Sequence, residues 1–131
     1  KAEAALSDGS AFSLPAPARL YKALRKTKTL SLAIEFCRDE MLMHTDVYGF
    51  SSACREAKCV AIAVRTDVDE GYLDMESFVL EQRKARGKFP GPCVLIHGQA
   101  VASVEEIAAA AASGANCVFI KARPENAVQM K

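Results

Sequence analysis

The chain has 131 residues, of which 17 are basic and 16 acidic, so its formal net charge is +1. This length is typical of a single domain with a sizeable core. The balanced charge argues against nucleic acid or an anionic membrane as a partner, and no apolar run approaches membrane-spanning length. We therefore expect a soluble domain that has no transmembrane segment and binds no nucleic acid.

The chain begins with a low-complexity stretch. Residues 1–17 are rich in Ala, Ser, Gly and Pro and show little periodicity, so we interpret them as a surface tail. The domain proper then covers residues 18–131. It opens with a short basic helix at about 18–26, whose apolar side chains Leu20, Tyr21 and Leu24 share one side.

Apolar runs and helical patterns alternate after this helix. Strands are predicted at 30–36, 59–64, 93–96 and 117–120, and helices at 46–57, 75–85 and 103–113. The second helix is expected to start at Asp74 as its N-cap, with Leu73 and Phe78 as a hydrophobic staple. Val47, Phe50 and Cys54 give the first of these helices its buried stripe.

The clearest unit is the stretch 92–122. Ser103 with Glu106 three residues later forms a capping box at the start of a helix, and Gly114 is suited to end it. Val104, Ile107, Ala108 and Ala111 are expected to form its buried stripe. The flanking apolar runs lack alternation, which indicates strands covered on both faces. Because crossovers are right-handed, we predict an α/β fold with four parallel strands in sequence order and helices on the outer side.

Four segments resemble indole-3-glycerol phosphate synthase, a (β/α)8-barrel enzyme of tryptophan biosynthesis. They are ALRKTKTLSLAIEF at 23–36, DVYGFSSACREAKCVAIAVRTD at 46–67, EGYLDMESF at 70–78 and CVLIHGQAVASVEEIAAAAASGANCVFI at 93–120. Their order and spacing follow the first half of that barrel, over about residues 18–122. The resemblance implies a TIM-barrel-like half barrel of four βα units, preceded by the N-terminal helix.

The sequence departs from this family at the positions that matter for catalysis. The first-strand acid is kept as Glu35, but the lysine position is occupied by Cys37. The third-strand lysine is replaced by His97, and the acid after it by Gly98. Ring closure with loss of a carboxylate needs a positioned cation and a proton donor. The resemblance therefore implies a relative without catalysis; if it is active, the candidate residues are Glu35 and His97.

Each candidate residue also has a structural interpretation. His97, at the end of a strand, is either an acid–base residue or a histidine hydrogen-bonded at an abandoned site, and we favour the second. Glu35 is either a catalytic acid or a carboxylate paired with Arg65 or Arg38, and we again favour the second.

Two charged clusters and the cysteines carry no strong functional signal. The acids Asp67, Asp69 and Glu70 are interpreted as a solvated loop in preference to a metal site. The basic turn could dock an acidic partner, but a solvated turn is the default; it contains Arg83, Lys84, Arg86 and Lys88. The five cysteines lack CxxC spacing and are interpreted as reduced core thiols: Cys37, Cys54, Cys59, Cys93 and Cys117. We expect no disulfide, no metal and no cofactor.

Two functions follow as hypotheses. The first is an inactive synthase-like protein that serves as a structural or accessory subunit of a larger assembly, because a half barrel leaves two edges and an apolar inner face open. On this hypothesis a protein partner or self-association covers about half of the strand residues Leu32, Ile34, Val60, Ile62, Val94, Ile96, Val118 and Ile120. The alternative is the first half of an active synthase. A reducing compartment is expected from the cysteines, and the family resemblance makes a plastid one candidate.

Overall fold

The computed structural model describes residues 16–25, 30–41, 46–121 and 123. The elements, in chain order, are α1 (Ala16–Leu24), β1 (Ala33–Phe36), a 3-10 turn (Arg38–Glu40), α2 (Val47–Glu56), β2 (Ala61–Val64), α3 (Gly71–Lys84), β3 (Val94–Val101), α4 (Val104–Ala112) and β4 (Cys117–Ile120). Residues 1–15 of the predicted tail lie outside the described residues, whereas residues 16 and 17 belong to α1. Among the described helices, none is long and apolar enough to cross a membrane.

The four strands form one parallel sheet in the order β1-β2-β3-β4, which confirms the predicted topology. Ile34, Ile62 and Leu95 lie side by side in register across the first three strands. The predicted bounds were less accurate. β1 and β2 are shorter than expected, and β3 continues to Val101 through an irregularity between His97 and Ala100.

Local side-chain caps start the helices where the sequence predicts them. The Asp46 carboxylate accepts a hydrogen bond from the backbone N–H of Tyr48 at 3.0 Å, which starts α2. Ser103 Oγ accepts from Glu106 N at 3.2 Å, and the Glu106 carboxylate accepts from Ala102 N at 2.5 Å. This confirms the capping box at α4, although the glutamate reaches one residue further back than the ideal pattern.

The predicted start of α3 was wrong. The helix begins at Gly71, and Asp74 lies inside it, 2% exposed, with its carboxylate bound to Arg38 and not to a helix-capping N–H. Gly71 makes the early start possible because a Cβ there would lie 2.7 Å from Arg65 O and from Thr66 Cα. Only glycine fits so close to another backbone segment. The staple also fails, since Leu73 is 59% exposed.

The sheet has an outer face covered by helices and an inner face opposite to it. On the outer face the rings of Phe36 and Phe78 meet edge to face, with centroids 5.1 Å apart. The other buried residues of this core include Val47, Cys54, Cys59, Ile62, Val64, Met75, Cys93 and Leu95. Burial raises the pKa of the Cys54 thiol to about 12, so that thiol remains neutral in the core.

The buried stripe of α4 differs from the prediction. Ala108 and Ala110 are the buried residues of this helix, whereas Val104 is 62% exposed and Ile107 is half-buried. The end of α4 approaches α3 closely, because a Cβ on Gly114 would lie 2.7 Å from a methyl group of Val79. Small alanine side chains are what allow a helix to pack at this distance.

The inner face is partly covered by α1. Leu20 and Ala23 pack against a second core cluster formed by Val60, Ala61, Val94 and Ile96. The expectation that half of the strand residues lack cover is therefore wrong for the central strands. It holds only at the edges of the sheet, where Leu32 is 45% and Ile120 is 44% exposed. Tyr21 and Leu24, which were expected to pack together with Leu20, are exposed instead.

A buried polar network joins α2, α3 and the start of β3. Ser51 Oγ donates to Glu81 Oε2 at 2.6 Å, and Arg55 Nε donates to Glu81 Oε1 at 3.0 Å. Gln82 donates to Ser51 Oγ at 2.6 Å and accepts from Cys93 N at 2.7 Å. The hydrogen bond to Glu81 raises the pKa of the Arg55 guanidinium above its ordinary value. The network thus ties both helices to the strand that they cover.

We expect Glu81→Ala to lower the free energy of unfolding by about 3 kcal/mol, because it removes the carboxylate that pairs with the Arg55 guanidinium and accepts from the Ser51 hydroxyl in a nearly dry site. Urea unfolding at neutral pH measures this. Glu76→Ala is the matched control, since Glu76 is exposed on the same helix and should change stability by less than about 0.5 kcal/mol. Equal effects of the two substitutions would contradict a stabilising role for the network.

Candidate functional site

The candidate site lies at the C-terminal edge of the sheet. The loops that leave β1, β2 and β3 meet there because all four strands point the same way. In open and closed parallel sheets this edge is where ligands bind and catalytic side chains gather. Both predicted candidates, Glu35 and His97, lie near this edge.

Glu35 takes part in an exposed ion cluster on the inner face. Arg65 Nη1 donates to Glu35 Oε1 at 3.3 Å, and Arg65 Nε donates to Asp67 Oδ1 at 2.7 Å. A second bond joins Arg65 Nη2 to Asp67 Oδ2, which makes that pair bidentate. The hydrogen bond from Arg65 holds the pKa of the Asp67 carboxyl below its ordinary value. The predicted pairing of Glu35 with Arg65 is therefore confirmed.

Arg38, the other predicted partner of Glu35, binds elsewhere. Its Nε donates to Asp74 Oδ2 at 2.9 Å, and its Nη2 bonds the other oxygen of the same carboxylate. Glu70 adds a weaker ion pair at 3.8 Å. The hydrogen bond to Asp74 raises the pKa of the Arg38 guanidinium. The Arg38–Asp74 pair links the turn after β1 to the first turns of α3, so both side chains stabilise the fold.

His97 is buried, with an exposure of 4%, and both ring nitrogens are hydrogen-bonded. Nδ1 lies 2.9 Å from the carbonyl oxygen of Gln99, and Nε2 lies 2.7 Å from Thr66 Oγ1. Because a carbonyl oxygen only accepts, Nδ1 carries a proton, and in the neutral form of the ring Nε2 accepts from the Thr66 hydroxyl. The Tyr72 ring lies nearby, at 6.3 Å between centroids. This is the hydrogen-bonded histidine that the second interpretation predicted.

The structure does not bring the two candidates together. Glu35 is in register with Ala63, which is in register with Ile96 on the inner face. His97 is in register with Val64, which belongs to the core of the outer face. Since residues in register on parallel strands share a face, the two side chains lie on opposite sides of the sheet. No hydrogen bond among the described residues joins the two side chains.

Positions 37 and 98, which differ from the pattern of the family that the sequence resembles, have little free space around them. Cys37 is 6% exposed, so a lysine there would be buried. A Cβ on Gly98 would lie 2.8 Å from the carbonyl carbon and oxygen of Val64. An acidic side chain cannot replace Gly98 unless the backbone of β2 or β3 moves. The glycine at position 98 therefore has a steric reason in this fold.

The acidic and polar side chains of the described residues are occupied by one another or by solvent. No group of three or more His, Cys, Asp or Glu side chains among them could hold a metal ion. Asp67 is bound to Arg65, whereas Asp69 and Glu70 are exposed, so the acidic loop has the character of a solvated loop. In this part of the chain every buried side-chain nitrogen or oxygen also has a hydrogen-bond partner. The buried polar groups are therefore used by the fold.

A groove that the sequence did not reveal lies between α2 and the end of α3. Its volume is about 360 Å³, and its lining includes Tyr48, Ser52, Arg55, Lys84 and Lys88. Lys84 Nζ lies 5.0 Å from the centroid of the Tyr48 ring, a cation–π contact. The only sequence signal was the basic turn 83–88, and nothing in its pattern indicated that it faces α2.

We expect Gly98→Ala to lower the free energy of unfolding by about 1–3 kcal/mol, because its Cβ would overlap the backbone of Val64. Gly91→Ala is the matched control, since the nearest atom to its Cβ would be 3.6 Å away, and it should cost less than about 0.5 kcal/mol. Thermal unfolding of both variants measures the difference. A Gly98→Ala protein as stable as the parent would contradict the close approach of β2 and β3.

Comparison of the chain with protein-family models, with curated proteins and with solved structures found no match. The resemblance to indole-3-glycerol phosphate synthase therefore stays a prediction from the residues that carry it. The site is interpreted from its own geometry alone.

Proposed function

We propose that this chain is a structural or accessory subunit without catalytic activity, derived from a half barrel of the indole-3-glycerol phosphate synthase type. One observation carries the proposal: Glu35 and His97 lie on opposite faces of the sheet. General acid–base catalysis needs both groups within hydrogen-bond reach of one reacting molecule. The side chains at the C-terminal edge bind one another instead, as Arg65 does with Glu35 and Asp67.

The edges of the sheet support the role of a subunit. β1 and β4 each pair on one side only, so each has a row of backbone groups facing outward. Apolar side chains flank these edges: Leu32 is 45% exposed before β1, and Phe119 is 48% and Ile120 44% exposed in β4. Covering the exposed half of such a side chain stabilises by roughly 0.7–1.5 kcal/mol. A protein partner that adds strands to these edges fits both features.

The alternative is the first half of an active synthase. It requires a cation and a proton donor at the inner face, and the matched positions offer a buried Cys37 and an outward-facing His97. No observation on the described residues favours this alternative over the first.

The catalytic part of the proposal predicts no turnover. Purified chain incubated with the anthranilate-derived sugar-phosphate substrate of the family should form no indole-3-glycerol phosphate above background. Product formation that depends on the chain and is lost in Glu35→Gln would contradict the proposal. Cys37→Lys with His97→Lys should not restore activity, because the second lysine would enter the outer core and lower stability.

The proposed role as a subunit predicts that the outer strands β1 and β4 bind apolar surfaces. In about 0.5 M salt, where charge effects are screened, the isolated chain should bind a hydrophobic dye or self-associate, and Phe119→Lys should remove most of that signal. Phe89→Lys is the matched control, because Phe89 is 89% exposed in the loop before β3 and belongs to neither edge. A stable monomer that unfolds cooperatively and binds no dye would show that the chain covers its own core.

A further inference from the structure

The described charges are divided between the two ends of the sheet. At the C-terminal edge, the segments that leave the strands, with the first turns of the helices that follow, contain nine acidic and four basic residues. The acids are Asp39, Glu40, Asp46, Asp67, Asp69, Glu70, Asp74, Glu105 and Glu106, and the bases are Arg38, Arg65, Lys121 and Arg123. We call this the acidic end.

The edge at which the strands begin carries the opposite charge. The last turns of α1, α2 and α3, with the loops that lead into the next strands, contain eight basic residues and two acidic ones. The bases are Lys22, Arg25, Arg55, Lys58, Arg83, Lys84, Arg86 and Lys88, and the acids are Glu56 and Glu81. We call this the basic end. The net charge of +1 conceals this separation.

The topology explains why the charges separate. Every helix that connects two parallel strands begins at the C-terminal edge and ends at the other. The helix dipole favours acids in the first turn, such as Glu105 and Glu106, and bases in the last turn, such as Arg83 and Lys84. Because the three connecting helices run the same way, their preferences add up at the two ends.

Many of these charges are exposed and form no ion pair with a described residue. At the acidic end this group includes Asp39, Asp69 and Glu105, whereas Asp67 and Asp74 are bound to arginines. At the basic end it includes Arg83, Arg86 and Lys88. The basic end also has a receptive shape, because Lys84 and Lys88 line the groove of about 360 Å³ beside α2. Glu81 also lines the groove, but its carboxylate is paired with Arg55, so a carboxylate that enters would meet the ammonium groups of Lys84 and Lys88.

We propose that copies of this chain associate head to tail, with the basic end of one copy docked on the acidic end of the next. Charge complementarity selects a second copy as the occupant, since each chain presents both surfaces and their charges are opposite and similar in size. Such an interface is heterologous, so it builds rings or open filaments. The inference goes beyond the proposed subunit role, because the head-to-tail interface uses the acidic and basic ends and leaves the outer strands β1 and β4 free.

Two neutralised variants test the proposal. One replaces the basic end with Arg83→Gln, Arg86→Gln and Lys88→Gln, and the other the acidic end with Asp39→Asn, Asp69→Asn and Glu105→Gln. The parent chain should self-associate in sedimentation at about 0.02 M salt, and its dissociation constant should rise at least about tenfold by about 0.3 M. Each variant alone should lose this salt-sensitive association, and an equimolar mixture of the two should form a 1:1 complex through the intact ends.

Three results would overturn the head-to-tail interface. They are the absence of salt-sensitive association in the parent, salt-sensitive association that survives in either variant, and a mixture of the two variants that forms no complex. Binding of the basic end to an added polyglutamate peptide without self-association would also overturn it in favour of a different acidic partner. Circular dichroism establishes that both variants are folded. Association that persists unchanged at high salt belongs to the edges of the sheet, so failure here is distinguishable from failure of the subunit proposal.

Discussion

The alternation of side chains along parallel strands decides which residues of this chain can work together. In register, Phe36, Val64 and His97 face the helices, and Glu35, Ala63 and Ile96 face the other way. The aromatic core of Phe36, Phe50 and Phe78 holds the first set in place. A shift of one residue in strand register would exchange the two sets and expose that core. The face on which each side chain lies is therefore strongly determined. The separation of Glu35 from His97 is a consequence of the packing of the core.

The two faces of the sheet are covered unequally, and this difference links the fold to the proposed role. Three connecting helices cover the outer face, and the Arg55–Glu81 network ties two of them to β3 through Gln82. Among the described residues, α1 covers the inner face over β2, β3 and the start of β4. Of the two strands with an open edge, β4 is the less buried, since none of its four residues is fully buried, whereas Phe36 anchors β1 in the outer core. Local opening is easier where fewer apolar contacts hold an element, so we expect β4 to open more readily than β1.

Much of the fold was predictable from local patterns. The four strands, their parallel order and the cap at Ser103 follow from apolar runs, connection length and residues that bind the first N–H groups of a helix. The start of α3 was not predictable, because it depends on the backbone of Arg65 and Thr66 passing beside Gly71. The cover that α1 gives to the inner face was also missed, since Leu20 and Ala23 do not reveal which face of the sheet they meet.

The candidate site, like the fold, was only partly predictable from the sequence. The sequence indicated Glu35 and His97 as individual residues, and it gave Arg65 as a partner for Glu35. The sequence did not show on which face of the sheet His97 lies. The run 93–96 is apolar at every position, so it has no polar–apolar alternation that would indicate a face. The sequence also gave no sign of the charge separation, which arises only when the helices are placed side by side in one direction.

Side-chain ¹⁵N NMR of the two histidines tests the central claim that His97 is a structural residue separated from Glu35. At mildly alkaline pH the account predicts an Nδ1–H tautomer for His97, held by the carbonyl of Gln99, with signals that Glu35→Gln leaves unchanged. Thr66→Val should alter the Nε2 signal, because it removes the hydroxyl that this nitrogen accepts. An Nε2–H tautomer, or His97 signals that shift when Glu35 is substituted, would contradict the account and return both residues to one shared site.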